Sequence, residues 1–383
     1  MKEPANAFEL LDYLREKNGK EIQRFSNVSR YLGMKAREKG IPVNCQFELT
    51  PLCNFSCKMC YVHLDADQLK GQKVLSADTW KDLMHQAWEA GMINATLTGG
   101  ECLAYPGFEE LFLYLHSLGC QVAVLTNGFL LDDRRIQFFR EHMPYRIQVT
   151  LYGWNDDVYE RVTGQRAFST VVENYRKALD AGLPISISVT PSIYLGEDVL
   201  ETVCLAKTLD LGAIVNSGIT QPREETGRSG QQDDPGTDMY IRIYQVINAI
   251  NGEETLKIDE EKLPPECGPN PDGQERGLRC GGGRSSCVID WKGTMMPCGM
   301  MEMIRTYPLE DGFKEAWAKM YREVNNWPIY SGCDGCAYVA VCNKCAGNQL
   351  LFAKPGEKPE GLCKQTKRFV SCGVRQLPNT ECD

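Results

Sequence analysis

Between residues 44 and 219 the chain alternates two hydrophobic patterns. Short apolar runs of strand length stand at 44–50, 93–98, 120–126, 145–151, 184–190 and 213–219. Longer segments with apolar residues three and four apart fall between them. In 76–91 Trp80, Leu83, Met84, Ala87 and Trp88 mark one helical face. Ser76 or Asp78 can cap its start, and Gly91 suits its left-handed end. Phe108, Leu111, Phe112 and Leu115 mark a second helix, ending at Gly119. Further helices are predicted over 132–142, 168–182 and 197–212. Six strands, each followed by a helix or a long connection, predict a parallel sheet with right-handed crossovers. The fold class is α/β. Six units are too few for a closed eight-fold barrel, so a partial (β/α)6 TIM-like barrel is expected.

The flanks read differently. Residues 1–43 form an N-terminal helical extension, with Phe8, Leu11, Leu14, Val28, Tyr31 and Leu32 as its apolar positions. Residues 44–220 are the barrel core. Residues 221–279 form a linker and a helix: 220–237 is polar and turn-rich, 238–251 is helical, and 264–284 is rich in Pro and Gly. From Cys280 to residue 383 periodicity fades and cysteines dominate. That pattern predicts a small cysteine-rich domain held by metal.

Composition narrows the function. The chain has 383 residues, a formal net charge of −9, 43% apolar and 24% charged residues. That balance suits a globular protein and excludes a large electrostatic footprint for nucleic acid. The start lacks a basic stretch followed by an apolar one, and no apolar run reaches membrane-spanning length. A cytoplasmic protein with neither membrane nor nucleic-acid partners is expected. Eighteen cysteines in that compartment point to metal or redox chemistry rather than disulfides.

Three of them, Cys53, Cys57 and Cys60, form C-x3-C-x2-C just after the first strand. Three thiolates can hold three irons of a 4Fe–4S cube and leave the fourth open to a small chelating ligand. The competing arrangement is a Cys3His zinc site completed by His63. Three other loops also follow strands: Gly99-Gly100-Glu101, Thr126-Asn127-Gly128 and Thr150-Leu151-Tyr152-Gly153. In open α/β sheets, sites gather at those strand ends.

CNFSCKMCY, with Tyr61 as the following aromatic, resembles the signature of the radical S-adenosylmethionine (SAM) superfamily. The resemblance implies that the open iron binds SAM through its methionine amine and carboxylate. One electron then cleaves a C–S bond, and the resulting 5′-deoxyadenosyl radical abstracts hydrogen from substrate. Gly99, Gly100 and Glu101 look like the family's GGE, whose glycines allow close backbone approach and whose Glu can receive the SAM amine. Thr126 and Asn127 look like its TNG motif. Thr150 and Arg161 resemble the groups that hold the SAM ribose and carboxylate. Cys102 stands where the family commonly has Pro, and is expected near the SAM pocket, either as a hydrogen donor or covalent partner to a substrate radical or as a small buried core residue.

The later cysteines resemble the SPASM extension of radical SAM enzymes. Its usual core is C-x2-C-x5-C-x3-C. Here Cys333, Cys336, Cys342 and Cys345 shorten the last gap to two residues. By resemblance, Cys280, Cys287, Cys298 and Cys345 would hold one auxiliary 4Fe–4S cluster, and Cys333, Cys336, Cys342 and Cys363 a second. Three clusters would then be present in all. The rival arrangement for these eight is two zinc sites. Cys45, Cys120 and Cys204 fall in predicted elements and read as core, whereas Cys267, Cys372 and Cys382 have no assigned role.

A SPASM extension implies a peptide or protein substrate, with cross-linking, thioether formation or epimerisation as outcomes, and an electron donor of flavodoxin or ferredoxin type. Sulfatase-maturing relatives place an Asp after the cysteine equivalent to Cys298. Gly299 stands here instead, which disfavours formylglycine chemistry. The first 43 residues are short for a leader-binding module, so leader recognition is expected from a separate leader-peptide-binding protein or from another surface. A small-molecule substrate is the alternative. An iron–sulfur electron carrier without substrate chemistry is the alternative of a different class, and the GGE and TNG loops argue against it.

Overall fold

The computed structural model describes residues 32–377, apart from 66, 224–225, 227–232, 254–257, 260, 262, 265–276, 334 and 344. The expectations for Phe8, Leu11, Leu14, Val28, Tyr31, Cys267 and Cys382 therefore lie outside the described residues. The six predicted strands form in order: β1 (Asn44–Glu48), β2 (Asn94–Thr98), β3 (Gln121–Thr126), β4 (Arg146–Thr150), β5 (Ile185–Val189) and β6 (Ile214–Val215). Each pairs in parallel with the next. The helices that return the chain are α1 (Ala77–Glu89), α2 (Phe108–Ser117), α3 (Asp133–Glu141), α4 (Asp156–Thr163), α5 (Phe168–Asp180) and α6 (Asp198–Leu209). Ser76 caps α1 by accepting from the Thr79 N–H at 3.2 Å. Asp132 caps α3 and Asn155 caps α4 in the same way. A seventh helix, α7 (Thr237–Asn251), follows β6 as predicted.

The two faces of the sheet differ in chemistry. Cys45 and Phe47 on β1, Leu97 on β2, Val124 on β3 and Ile147 on β4 are buried on the helix side. The Phe47 ring meets Trp80 of α1 edge-on, with centroids 5.9 Å apart. Because side chains alternate along a strand, the inner face carries Gln46, Glu48, Thr96, Thr98, Gln148, Thr150, Ser186 and Ser188. A polar barrel interior does not pack into an apolar core of its own. It leaves room for a ligand.

Beyond Cys280 the structure is more regular than the fading periodicity predicts. Strand β7 (Ser286–Ile289) adds in parallel to β1, and β8 (Met295–Met296) closes a hairpin with β7, giving eight strands in the order β6-β5-β4-β3-β2-β1-β7-β8. The three residues Cys287–Ile289 of β7 are all buried, so the strand shows no alternation to read. Helix α8 (Phe313–Asn325) packs beside α1, where the Phe313 N–H donates to Gln86 Oε1 at 2.8 Å. Helix α9 (Glu360–Ser371) ends the described chain's regular structure. No helix among the described residues is long and apolar enough to cross a membrane.

Candidate active site

A cavity of about 530 Å³ opens at the C-terminal ends of the parallel strands. Cys53, Cys57 and Cys60 line one end, with Tyr61, Gly99, Gly100, Thr126, Asn127 and Thr150. Thr150 shares a 3.3 Å hydrogen bond with Ser188 of β5. Nine of the residues singled out in the N-terminal half thus meet in one space.

The cysteine loop is held by its sulfur atoms as much as by its backbone. The Phe55 N–H donates to Cys53 Sγ at 3.4 Å and the His63 N–H to Cys60 Sγ at 3.3 Å. Asn127 Nδ2 donates to Cys53 Sγ at 3.6 Å and to Asn54 Oδ1 at 2.8 Å. Burial pushes the Cys53 thiol up to about 12 and the Cys57 thiol well above its ordinary range, while Tyr152 acts in the opposite direction on Cys57 through a hydrogen bond. Half-buried sulfurs that accept N–H bonds, as those of Cys53 and Cys60 do, suit iron–sulfur ligation, where such bonds tune the potential. The His63 ring is not among the residues lining the cavity.

The two glycines are demanded by the cysteine loop itself. A Cβ on Gly99, at φ +136°, would lie 2.5 Å from the Thr50 carbonyl oxygen, and one on Gly100 would lie 2.3 Å from that of Leu52. The Gly100 and Glu101 N–H groups donate to those carbonyls at 2.6 and 2.9 Å. Close backbone approach was expected toward a ligand. The structure shows it first between two loops.

Three expected site residues, Glu101, Cys102 and Arg161, do not line this cavity. Glu101 is fully buried and does not line the cavity. Its carboxylate accepts from Thr126 Oγ1 (2.8 Å), the Asn127 N–H (2.8 Å) and the Leu103 N–H (3.0 Å), so it ties the end of β3 to that of β2 rather than facing a SAM amine. Cys102 is buried, with Sγ 3.2 Å from the Leu125 carbonyl oxygen, and faces packing instead of the cavity. Arg161 points outward: it donates to the Tyr194 and Leu195 carbonyls at 3.0 and 3.1 Å and pairs with Asp198 at 2.5 Å.

The C-terminal region also lines this cavity, with Met300, Asn343, Cys345 and Asn348. Burial pushes the Cys298 thiol up to about 11, and Cys345 and Cys280 lie close enough to push it further. Those three cysteines are neighbours. Cys287 is not with them. It sits on β7 in register with Cys45, 2% exposed, with its Sγ 3.5 Å from that of Cys45. Strand alternation turns it to the helix side, away from the cavity. Cys45 and Cys120 are buried, as expected for core, and Cys204 is half-buried. Cys333, Cys336, Cys342 and Cys363 line a second, enclosed cavity together, and Thr366 Oγ1 donates to Cys342 Sγ at 3.6 Å. These four cysteines share one mostly apolar lining, with Arg279 and Gln349 as its polar members.

Residues overlooked in the sequence complete the cavity's flank. Arg223 was part of an expected surface linker, yet it is 3% exposed and pairs with the fully buried Glu48 of β1 at 2.5 Å. A single Arg in a polar, turn-rich stretch carries no sign of burial. The acid in the strand NCQFELT was the readable half of the pair, because an inward carboxylate needs a partner.

Comparison with known proteins follows this geometry. Residues 47–203 match the family described as the radical SAM superfamily. An AdoMet-dependent heme synthase of Methanosarcina barkeri is 26% identical over 78% of this chain and 89% of its own length. The mycofactocin maturase MftC of Mycobacterium tuberculosis is 24% identical over 94% and 92%. The solved structure of Streptococcus suis SuiB bound to precursor peptide SuiA shares the fold at a TM-score of 0.63 and 14% identity, over 92% of this chain and 89% of that one. With the cysteine triplet, the two glycines and Thr126-Asn127 gathered at one end of a parallel barrel, this enzyme carries a radical SAM domain over residues 47–203.

Proposed function

We propose that the protein cleaves SAM reductively and removes a hydrogen atom from a peptide substrate. The observation that carries this reading is the single cavity lined both by Cys53, Cys57 and Cys60 and by Cys345, Met300 and Asn348. When bound, a 4Fe–4S cluster and SAM supply one-electron bond cleavage and a carbon-centred oxidant. The chain's own residues do the rest. Cys53, Cys57 and Cys60 hold three irons. The N–H groups of Phe55 and His63 and the Asn127 amide withdraw charge from the sulfurs. Glu101 acts at one remove, by fixing Thr126 and Asn127 against the GGE loop. Tyr61, Thr150 and Ser188 offer an aromatic face and hydroxyls to the bound cosubstrate.

The C-terminal region closes the substrate end in the manner of a SPASM domain. Cys333, Cys336, Cys342 and Cys363 would hold one auxiliary cluster. Cys280, Cys298 and Cys345 would hold a second with three protein thiolates. A flavodoxin- or ferredoxin-type protein supplies electrons, and a separate protein presents the leader of a precursor peptide. Peptide maturases among the relatives support this substrate class. A heme-type small molecule is the second reading, favoured by a relative of that name aligned over most of both chains.

The test is anaerobic turnover of reconstituted enzyme with SAM, a reductant and the short peptides encoded beside its gene, in heavy water. Loss of two hydrogens from a peptide would report cross-linking or dehydrogenation. Deuterium at an α-carbon would report epimerisation. SAM cleavage with every peptide unchanged would refute the peptide reading and favour the small-molecule one.

A further inference from the structure

The most unusual group outside the cysteine sites is the buried charge cluster beside Tyr61. Glu48 ends β1 on the inner face and is 0% exposed. Arg223 meets it through Nη2 at 2.5 Å, and the geometry leaves Nε and Nη1 of the guanidinium without a hydrogen bond. Asp290, at the end of β7, is the third charge of the group and attracts Arg223 as well. Tyr61 sits among them. Its hydroxyl donates to Glu48 Oε1 at 3.4 Å, and the guanidinium carbon stands 5.7 Å from its ring centroid. Its backbone is gripped too: the Arg223 N–H donates to the Tyr61 carbonyl at 3.1 Å. Gln68 Nε2, further along the same loop, donates to the Thr226 carbonyl at 3.2 Å, and Thr226 Oγ1 donates to the Arg223 carbonyl at 2.7 Å.

Burying such a pair costs desolvation that apolar residues of similar size would not incur, so stability alone is a poor reason for it. Its two members converge on one aromatic ring, and that ring lines the cavity next to Cys60. We infer that Glu48 and Arg223 are positioning residues that hold Tyr61 against bound SAM, with Asp290 linking this clamp to the C-terminal region. The inference rests on the reading that this cavity binds SAM.

The test separates positioning from folding. Arg223→Met, Glu48→Gln, the double variant and Arg223→Lys are compared with the cluster-loaded wild type. Thermal midpoints are measured, together with SAM dissociation constants by equilibrium dialysis and the change SAM causes in the reduced cluster's EPR spectrum. Arg223→Met strands the Glu48 charge and is expected to lower both the midpoint and SAM affinity. The double variant is expected to regain the midpoint, yet to bind SAM about tenfold more weakly with an altered EPR response. Arg223→Lys is expected to recover part of the affinity. A double variant that regains midpoint and affinity together would overturn the inference, because the pair would then be structural only. Wild type that fails to bind SAM would overturn the reading of the cavity itself, and the inference with it.

Discussion

The barrel and the region after Ile329 stabilise themselves in different ways. The barrel packs large apolar side chains between sheet and helices: Phe47, Trp80, Phe108, Phe112 and Phe139 are all fully buried. Near the four cysteines Cys333, Cys336, Cys342 and Cys363, the separate apolar cluster among the described residues consists of Leu263, Tyr338, Val370 and Leu377, while Ala346 and Phe369 join the main core. A core that small supplies little of the stability a fold needs. One region can fold around its own side chains, while the other, on the proposed reading, would depend on its metal. The comparison also says where a cluster can be lost without losing the protein.

The most severe break is at the barrel's own cysteines. Cys57→Ala is expected to abolish SAM cleavage, because the open-iron site would lose one of three thiolates. The circular dichroism and the iron bound at the other cysteines should persist, since Cys57 sits beside an apolar core that survives it. Near-normal SAM cleavage by this variant would remove the assignment of the triplet.

Cys342→Ala should act in the opposite sense. Loss of one of four thiolates would release that cluster and expose residues 329–377 to limited proteolysis, while the barrel stays protected. An unchanged digestion pattern after iron loss would show that the small apolar cluster suffices alone, and the contrast drawn between the two regions would fall.

How legible each region was follows from the same contrast. The barrel strands and helices could be placed because amphipathic periodicity survives wherever one face is apolar and the other polar. Trp80, Leu83, Met84 and Ala87 were readable as one face, and all four are buried. β7 was illegible because three consecutive residues are buried, and β8 because it is two residues long. At the site, cysteine spacing located the loops but not the direction of each side chain. Cys287 has plausible ligand spacing, and only its register with Cys45 shows that it faces the helices. Glu101 and Arg161 were placed by analogy with a motif, and their hydrogen bonds point them elsewhere.

Cys287 gives a finer test. If it lies in the core, Cys287→Ala should leave iron content at the wild-type level and cost about 1 kcal/mol through a small void. Iron analysis and a denaturant midpoint decide it. A loss of iron would return Cys287 to the ligand set and require β7 to shift.

The smallest expected effect is at Cys102, where sequence position and packing disagree most directly. Its place after the GGE loop suggests a radical partner. Its thiol is pressed against the Leu125 carbonyl and closed off from the cavity. A hydrogen donor must reach the substrate carbon, and a buried thiol behind Glu101 and Thr126 has no path to it without opening the β2–β3 end. Burial also holds this thiol well above its ordinary range, so it stays protonated and inert as a nucleophile. Cys102→Ala should therefore cost about 1 kcal/mol, the worth of one weak buried hydrogen bond and a little packing. Product identity and deuterium incorporation should match the wild type. A variant that still cleaves SAM but yields a different product would mean that this end of the sheet opens during turnover, and that the loop the two glycines lock in place is a moving part.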